Sequence, residues 1–194
     1  LRSFKTRHLI TIGLFAALAF VTVSFPGAII WPIADAVLGP FSFLVTGILY
    51  EILLYMIYSV ALVLIPRVGT ASLLALTRFL LYTCIFGRFS VLSIFWLASM
   101  AVALEIALYA AGLTRRGIED NPPKLKLALF AAAMGVADAY AAFVNMNLYM
   151  LFYRLYYADW YLWMYYAVDG FAYTFVGAMA GLSLGLKLRR AYGE

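Results

Sequence analysis

Charged residues, histidine and cysteine are all scarce in this chain of 194 residues. Cys84 is the single cysteine, which excludes an internal disulfide and a cluster of thiolate metal ligands. His8 is the single histidine, and neither an HExxH nor a GxxxxGK[ST] motif occurs, so zinc-protease and P-loop ATPase chemistry have no support. Serine nucleophiles lack a histidine base within the apolar runs. An enzyme is therefore the weaker class, and we expect no catalytic residue, metal or cofactor.

Apolar side chains dominate what is present. Hydrophobic residues make up 66% of the chain and charged residues 12%, and the mean hydropathy is +0.96. A globule of this size cannot hide so many apolar side chains, because its surface-to-volume ratio forces many residues outward. The surrounding solvent must be lipid. This excludes a soluble enzyme, a disordered chain and a nucleic-acid-binding protein, although the net charge is +5.

Six apolar runs have the length of transmembrane helices, and none alternates as a barrel strand does. Proline and glycine interrupt the chain between them. The sequence thus predicts an all-α, polytopic membrane protein that forms a single six-helix integral domain over residues 1–194. The predicted spans are Leu9 to Phe25, Phe41 to Ile65, Thr70 to Phe86, Phe89 to Leu113, Leu125 to Tyr153 and Leu162 to Lys187.

The distribution of basic residues predicts the orientation. Most of the 14 Lys and Arg residues fall before the first span, in the second and fourth links, or after the last span, whereas Arg88 and Arg154 fall in the other links. Cytoplasmic links carry the excess of basic residues in membrane proteins. Both termini should therefore be cytoplasmic, in a multi-pass protein of the plasma membrane. The same cations would contact the lipid of the cytoplasmic leaflet.

The outer side is rich in aromatic residues. Pro26 to Pro40 is predicted as a long outer loop that contains Trp31, and the stretch from Tyr149 to Tyr173 carries twelve aromatics in 25 residues. These rings fit an interfacial aromatic belt. Their density equally fits the wall of a ligand pocket, which would use stacking or cation–π contacts.

Several charged residues fall inside the predicted spans, where each needs a partner, water or a function. Glu51 and Arg78 lie at similar depths and are expected to form an ion pair. Glu105, Asp138 and Asp169 then remain without a cation on a helix. Hydrogen bonds from tyrosines or the arginines of the outer links would satisfy them. Alternatively, they would suit a cationic or amine-bearing ligand.

Helical spacing favours a pocket that opens outward. Asp138, Asn145 and Tyr149 share one face of the fifth span, and Asp169 and Tyr173 are four residues apart in the sixth. A polar face that rises toward an aromatic rim is what such a pocket needs. The predicted ligand-binding residues are Trp31, Glu105, Asp138, Asn145, Tyr149, Trp160, Trp163, Asp169 and Tyr173.

Small residues predict where helices meet. Gly177, Gly181 and Gly185 form a GxxxGxxxG row in the last span, which favours close internal packing. In the first span, Gly13, Ala16 and Ala17 are predicted either to pack internally or to dock another membrane subunit.

With these features the chain resembles the substrate-binding S-components of energy-coupling factor (ECF) vitamin transporters, closest to the YkoE-type, thiamine-related subgroup. The resemblance covers nearly the whole length. It lies in the small-residue motif from Gly13 to Ala19, in the stretch Ala103 to Tyr109 followed by Thr114, and in Asp169-Gly170 leading to Gly181.

The resemblance implies a subunit that binds a thiamine-like vitamin on the outer side, between the fourth, fifth and sixth helices. It also implies a transmembrane coupling subunit, docked on the small residues of the first helix, and two cytosolic ATPases. The family's AxxxA spacing is matched only as Gly13 to Ala17.

Two other classes stay open. In a self-sufficient proton- or ion-coupled carrier, Glu105, Asp138 and Arg78 would form a proton relay, although no internal repeat is clear. In a membrane scaffold, the buried acids would be structural only.

Overall fold

The computed structural model describes residues 4–87, 89–119 and 121–191, and within these ranges the regular structure is entirely helical, with no strand. Six long helices and one short helix follow one another. They are α1 Thr6–Phe41, α2 Phe43–Leu64, α3 Thr70–Phe86, α4 Val91–Ala111, α5 Leu113–Arg116, α6 Lys124–Tyr153 and α7 Asp159–Ala191.

Five of these helices, α1, α2, α4, α6 and α7, are long and apolar enough to cross a membrane. The helix α3 is also apolar but has 17 residues. Large apolar side chains cover the outside of the bundle, among them Leu14, Ile106 and Leu151. Such a surface is stable in lipid and would aggregate in water. Over the described residues the chain is all-helical and has the apolar surface that is typical of a membrane-embedded protein.

The predicted outer loop from Pro26 to Pro40 is wrong, because α1 continues through it as an α-helix over Phe25–Leu38. A π-helical turn, Phe20–Ser24, precedes this part and leaves Pro26 in a first helical turn, where its missing N–H costs little. In lipid the backbone must bond internally, so an apolar run stays helical even around Pro32. Gly39, with φ of 54°, ends the α-helical part.

The remaining boundaries lie close to the predicted ones. The prediction for α3 is confirmed at both ends, where Gly69 at the N-cap and Gly87 at the C-cap adopt left-handed backbone conformations outside the helix. The last helix begins at Asp159, a few residues before the predicted start, and contains a π-helical segment, Tyr166–Tyr173.

The long helices pack in a closed ring in the order α1, α2, α7, α6, α4, α3, and α3 returns to α1. Inside the ring lies a core of fully buried side chains that come from each of these helices. Its large members include Tyr55, Tyr58, Leu74, Leu104, Phe130, Met134 and Leu182.

The helices α2 and α7 approach each other closely along a row of glycines. A Cβ added at Gly177 or Gly181 would overlap the backbone of α2 at Ile52 or Met56, and one at Gly185 would meet Val60 and Val63. The prediction that this glycine row serves internal packing is confirmed. Because this seam fixes the rotation of α2 about its axis, the side of α2 that does not contact α7 faces the middle of the ring.

The two ends of the bundle are distinct. At one end, which we call the terminal end, the ring of Phe4 lies against Gly69, and the Arg189 guanidinium donates to the Ile118 carbonyl over 2.9 Å. At the other, which we call the distal end, Phe41 stacks on Trp160 and Phe25 contacts Phe86. Both described chain ends lie at the terminal end.

Candidate solute-binding site

A cavity of about 360 Å³ opens inside the ring at the distal end. It is bordered by all six long helices or the short links next to them, and aromatic rings make up most of its wall. The lining residues are Ser24, Trp31, Tyr50, Glu51, Arg78, Phe79, Tyr82, Ser90, Leu92, Ser93, Trp96, Asn145, Tyr149, Tyr153 and Tyr165.

Arg78 is the cation in this wall, and only 4% of its surface is exposed. Its Nη1 donates a hydrogen bond to the Tyr50 hydroxyl over 3.0 Å. The guanidinium carbon lies 5.7 Å from the ring centre of Tyr50, 6.0 Å from that of Tyr58 and 5.4 Å from that of Trp96. Three aromatic faces at this range stabilise a desolvated guanidinium by cation–π attraction.

Glu51 is the carboxylate in the wall, and it follows Tyr50 directly along α2. The predicted Glu51–Arg78 ion pair is wrong as a direct contact, because among the described residues no ion pair within 4.0 Å joins them. Both side chains instead border the same space. The reason is geometric: Arg78 is turned to Tyr50 and packed among rings, which leaves the carboxylate of Glu51 to face the cavity.

Local structure places the polar groups of α4 and α6. The Ser90 hydroxyl caps α4 by accepting from the Ser93 backbone N–H over 3.1 Å, which sets the helix start beside the cavity. On α6, Asn145, Tyr149 and Tyr153 recur every four residues and so share one face. This face continues the stripe that the sequence predicted.

Asp138 lies below the cavity, in a polar cluster next to Glu51. Its Oδ1 accepts from the Tyr55 hydroxyl, and its Oδ2 accepts from the Thr174 hydroxyl over 2.9 Å. Asp138 is buried and does not line the cavity. The prediction that tyrosine hydrogen bonds satisfy a buried acid is confirmed here. The helices α2, α6 and α7 are thereby joined through one carboxylate.

Asp169 and Glu105 also lie away from the cavity lining. Asp169 is buried beside Gly47, where any added side chain would overlap its carboxylate. Glu105 Oε1 accepts from the Ser72 backbone N–H over 3.1 Å in the first turn of α3, and its Oε2 is buried with no hydrogen-bond partner among the described residues. A carboxylate at this position stabilises the N-terminus of α3.

Three of the nine predicted ligand-binding residues therefore border the cavity: Trp31, Asn145 and Tyr149. Of the others, Trp160 and Trp163 are 61% and 73% exposed on the outside, and the Tyr173 hydroxyl donates to the Leu44 carbonyl over 2.9 Å. Exposed tryptophans near a helix end are typical of an interfacial belt. Arg88, named as a partner for the acids, lies outside the described residues.

Sequence reasoning missed Tyr50, Glu51, Arg78 and Trp96 as wall residues. The sequence carried a signal for two of them, Glu51 and Arg78, since two opposite charges at similar depth inside apolar spans mark a polar interior. The expected ion pair between Glu51 and Arg78 concealed this signal.

The predicted docking row of the first helix divides between inside and outside. Ala16 is fully buried in the core of the chain. Gly13 and Ala17 are partly exposed, and a Cβ added at Gly13 would meet nothing within 4 Å. Of these three residues, Gly13 and Ala17 are accessible to a second chain and Ala16 is not.

No group of three or more histidine, cysteine, aspartate or glutamate side chains in the described ranges is arranged to hold a metal ion. What the cavity offers is one guanidinium, one carboxylate, an amide, several hydroxyls and flat aromatic faces. Comparisons with protein-family models, with curated proteins and with solved structures find no match to this chain.

Proposed function

We propose that this chain is the membrane-embedded, solute-binding subunit of an ECF-type importer, and that it binds a small water-soluble vitamin or vitamin precursor from the outer side. The observation that carries the proposal is the aromatic-walled cavity at the distal end with Arg78 and Glu51 in its lining. A buried charge without a full set of partners is costly in a membrane interior and marks a functional site.

The proposal includes six membrane spans with both termini in the cytoplasm. The helix α3, at 17 residues, has the minimum length for a span and runs between α1 and α4 in the ring. The basic residues of the terminal end, Lys5, Arg7, Arg67, Lys126 and Arg189, then face the cytoplasm. The distal cavity faces the exterior of the plasma membrane.

A binding subunit fits this cavity better than a channel does. Toward the terminal end the ring is filled by fully buried side chains, among them Tyr55, Tyr58, Leu104 and Met134. A solute held in the cavity has no continuous passage through this core. Its release inward therefore requires a rearrangement, which suits a subunit that relies on a coupling partner and two cytosolic ATPases. Gly13 and Ala17 would be the contact points of the coupling subunit.

Binding and transport separate the possibilities. Purified chain in detergent or nanodiscs is titrated with thiamine and with its pyrimidine precursor, and micromolar binding of either is expected if the solute is thiamine-like. No binding of either at micromolar concentration rejects that ligand. Uptake into proteoliposomes should require an added coupling module with ATP. Uptake by the chain alone would overturn the assignment as an importer subunit.

A proton-coupled carrier is the second candidate, and one contact favours it. Tyr55 lies one helical turn from the cavity residue Glu51 and donates to Asp138, which gives a carboxyl–phenol–carboxyl series leading inward. The relay through Glu105 that the sequence suggested is less favourable, because Glu105 bonds the first turn of α3. Uptake by the chain alone, driven by a pH gradient and lost in Asp138→Asn, would identify this carrier.

A further inference from the structure

We infer that the solute of this cavity is amphoteric: it presents an acidic group, a carboxylate or a phosphate, to Arg78 and an amine or other cationic group to Glu51. This inference rests on the proposed solute-binding function and adds the chemical class of the solute. It departs from the purely cationic solute that the acidic residues of the spans suggest by themselves.

The case for an acidic group starts from the surroundings of Arg78. A guanidinium carries five N–H donors; among the described residues Nη1 donates to the Tyr50 hydroxyl and the Tyr58 hydroxyl also lies beside the guanidinium, so most of the donors are left for a ligand. Its other neighbours are rings, and no carboxylate lies within 4.0 Å. Arg78 lines the cavity although only 4% of its surface is exposed, so an acid would reach the guanidinium at the edge that faces the cavity. A planar acid, which takes two N–H bonds at once, fits this fork.

The case for a cationic group starts from Glu51. Its carboxylate borders the same cavity and has no lysine or arginine within 4.0 Å in the described ranges. Apart from Arg78, the other residues that line the cavity are uncharged. An amine or a cationic ring in the cavity would give Glu51 the charge partner that the chain withholds.

The two charges together select against simpler solutes. A cation without an acid would gain attraction from Glu51 and suffer repulsion from Arg78, and an anion without an amine would meet the reverse. Only a solute with both groups pairs with both Arg78 and Glu51. The cavity then repels solutes that carry a single charge and attracts the solute that carries both. One charge of each sign among the residues that line the cavity thus defines the class.

The remaining wall sets size and shape. The ring centres of Trp31 and Tyr50 lie 5.2 Å apart, and Trp96 lines the cavity on the side of α4. A volume of about 360 Å³ is at the lower end for small-molecule sites, which run from about 300 to 1,000 Å³. One small ring system with its two polar groups would fill it.

A charge-matched series of probes tests the inference. L-Tryptophan carries an amine and a carboxylate on an indole, tryptamine lacks the carboxylate, and indole-3-propionate lacks the amine. Thiamine and thiamine monophosphate form a second pair that differs by the acid group alone. Dissociation constants are measured by calorimetry on the whole chain in nanodiscs, with probes up to 1 mM.

We expect L-tryptophan to bind more tightly than tryptamine and indole-3-propionate by tenfold or more, or thiamine monophosphate to exceed thiamine by a similar factor. In Arg78→Gln the preferred probe should lose about 30-fold in affinity, while the probe without an acid, relieved of the repulsion from Arg78, should bind at least as tightly as before. Arg154→Gln, an arginine at the distal end that does not line the cavity, is the matched control.

The outcomes separate the two proposals. If a probe binds but neither L-tryptophan nor thiamine monophosphate binds more tightly than its partner without the acid, the solute is not amphoteric and the inference fails while solute binding stands. If no probe of any charge class binds at 1 mM, the proposed function fails with it. Should Arg78→Gln not fold, the order of affinities in the unaltered protein still decides whether the solute is amphoteric.

Discussion

The two halves of α2 differ in the burial and hydrogen bonding of their polar side chains. From Leu54 to Val63 its side chains are nearly all buried, and the one phenol that meets a carboxylate there, Tyr55, is matched to Asp138. In the preceding turn, Tyr50 and Glu51 border an open cavity beside a guanidinium with few partners. The carboxylate bonded in the closed half is satisfied by the chain itself, whereas the charges of the open half lack such partners. On α2 we therefore read the hydrogen-bonded Tyr55–Asp138 pair as structural and the turn with Tyr50 and Glu51, beside Arg78, as ligand-binding.

The glycine seam of the closed half should be the most sensitive point. Gly181→Ala places a methyl group into the backbone of Met56, and we expect the free energy of unfolding to fall by about 3 kcal/mol, the upper part of the range for overpacking. Unfolding in SDS, followed by tryptophan fluorescence, measures this. Gly13→Ala is the control, since its added Cβ meets nothing within 4 Å and should be neutral or stabilising by up to about 1 kcal/mol. Equal effects at both positions would contradict the packing of α7 on α2.

The carboxylate of the closed half should matter for stability and not for binding. Asp138→Asn weakens the bonds from Tyr55 and Thr174, and we expect a loss of about 1 kcal/mol in the free energy of unfolding. A double-mutant cycle with Tyr55→Phe isolates the coupling. Affinity for L-tryptophan or thiamine monophosphate should change less than twofold. A large loss of affinity with normal stability would move Asp138 from the structural group to the binding group.

Two identical changes on α2 compare the halves directly. Tyr50→Phe removes the hydroxyl that accepts from Arg78, so we expect solute affinity to fall about fivefold with little change in unfolding. Tyr55→Phe should lower the free energy of unfolding and leave affinity nearly unchanged. Calorimetric titration gives the solute affinity of each variant, and unfolding in SDS gives its free energy of unfolding. If the two variants behave alike, the distinction between the halves is wrong.

The smallest effect is expected at the surface of the terminal end. Lys126 donates to Glu119 over 2.6 Å, and the Glu119 side chain is 67% exposed. Ion pairs of this kind contribute about 0–1 kcal/mol because water and salt screen them. Lys126→Ala should change the free energy of unfolding by less than about 0.5 kcal/mol and leave solute affinity unchanged. A larger effect in either measurement would show that this link is coupled to the cavity.

Patterns local in sequence predicted the helical skeleton well. Apolar runs bounded by Gly69 and Gly87 specify α3, because both glycines adopt backbone angles that other residues avoid. The row from Gly177 to Gly185 specifies a close seam because its spacing keeps all three glycines on one face. The same reasoning failed at Pro26 and Pro32, since prolines that end helices in water are tolerated where lipid makes a broken backbone more costly.

The cavity depended on information that no single helix carries. Glu51 and Arg78 come together, without touching, only because the rotation of α2 and α3 about their axes is fixed by neighbours such as α7. Asp138 was expected to bind a ligand. Its carboxylate instead accepts a hydrogen bond from Tyr55, which is 83 positions away in the chain and could not be assigned to it from the sequence. Spacing along α6 correctly grouped Asn145 with Tyr149, because that grouping needs one helix alone.

The length of α1 has a consequence for the lipid around it. Thirty-six helical residues, at about 1.5 Å each, extend roughly 54 Å, whereas the hydrocarbon layer is about 30 Å thick. Such a mismatch is relieved by tilt or by emergence of one end among the headgroups. The end that carries Trp31 is also a wall of the cavity, so we expect membranes of different thickness to reposition that wall and to change how tightly the solute is held.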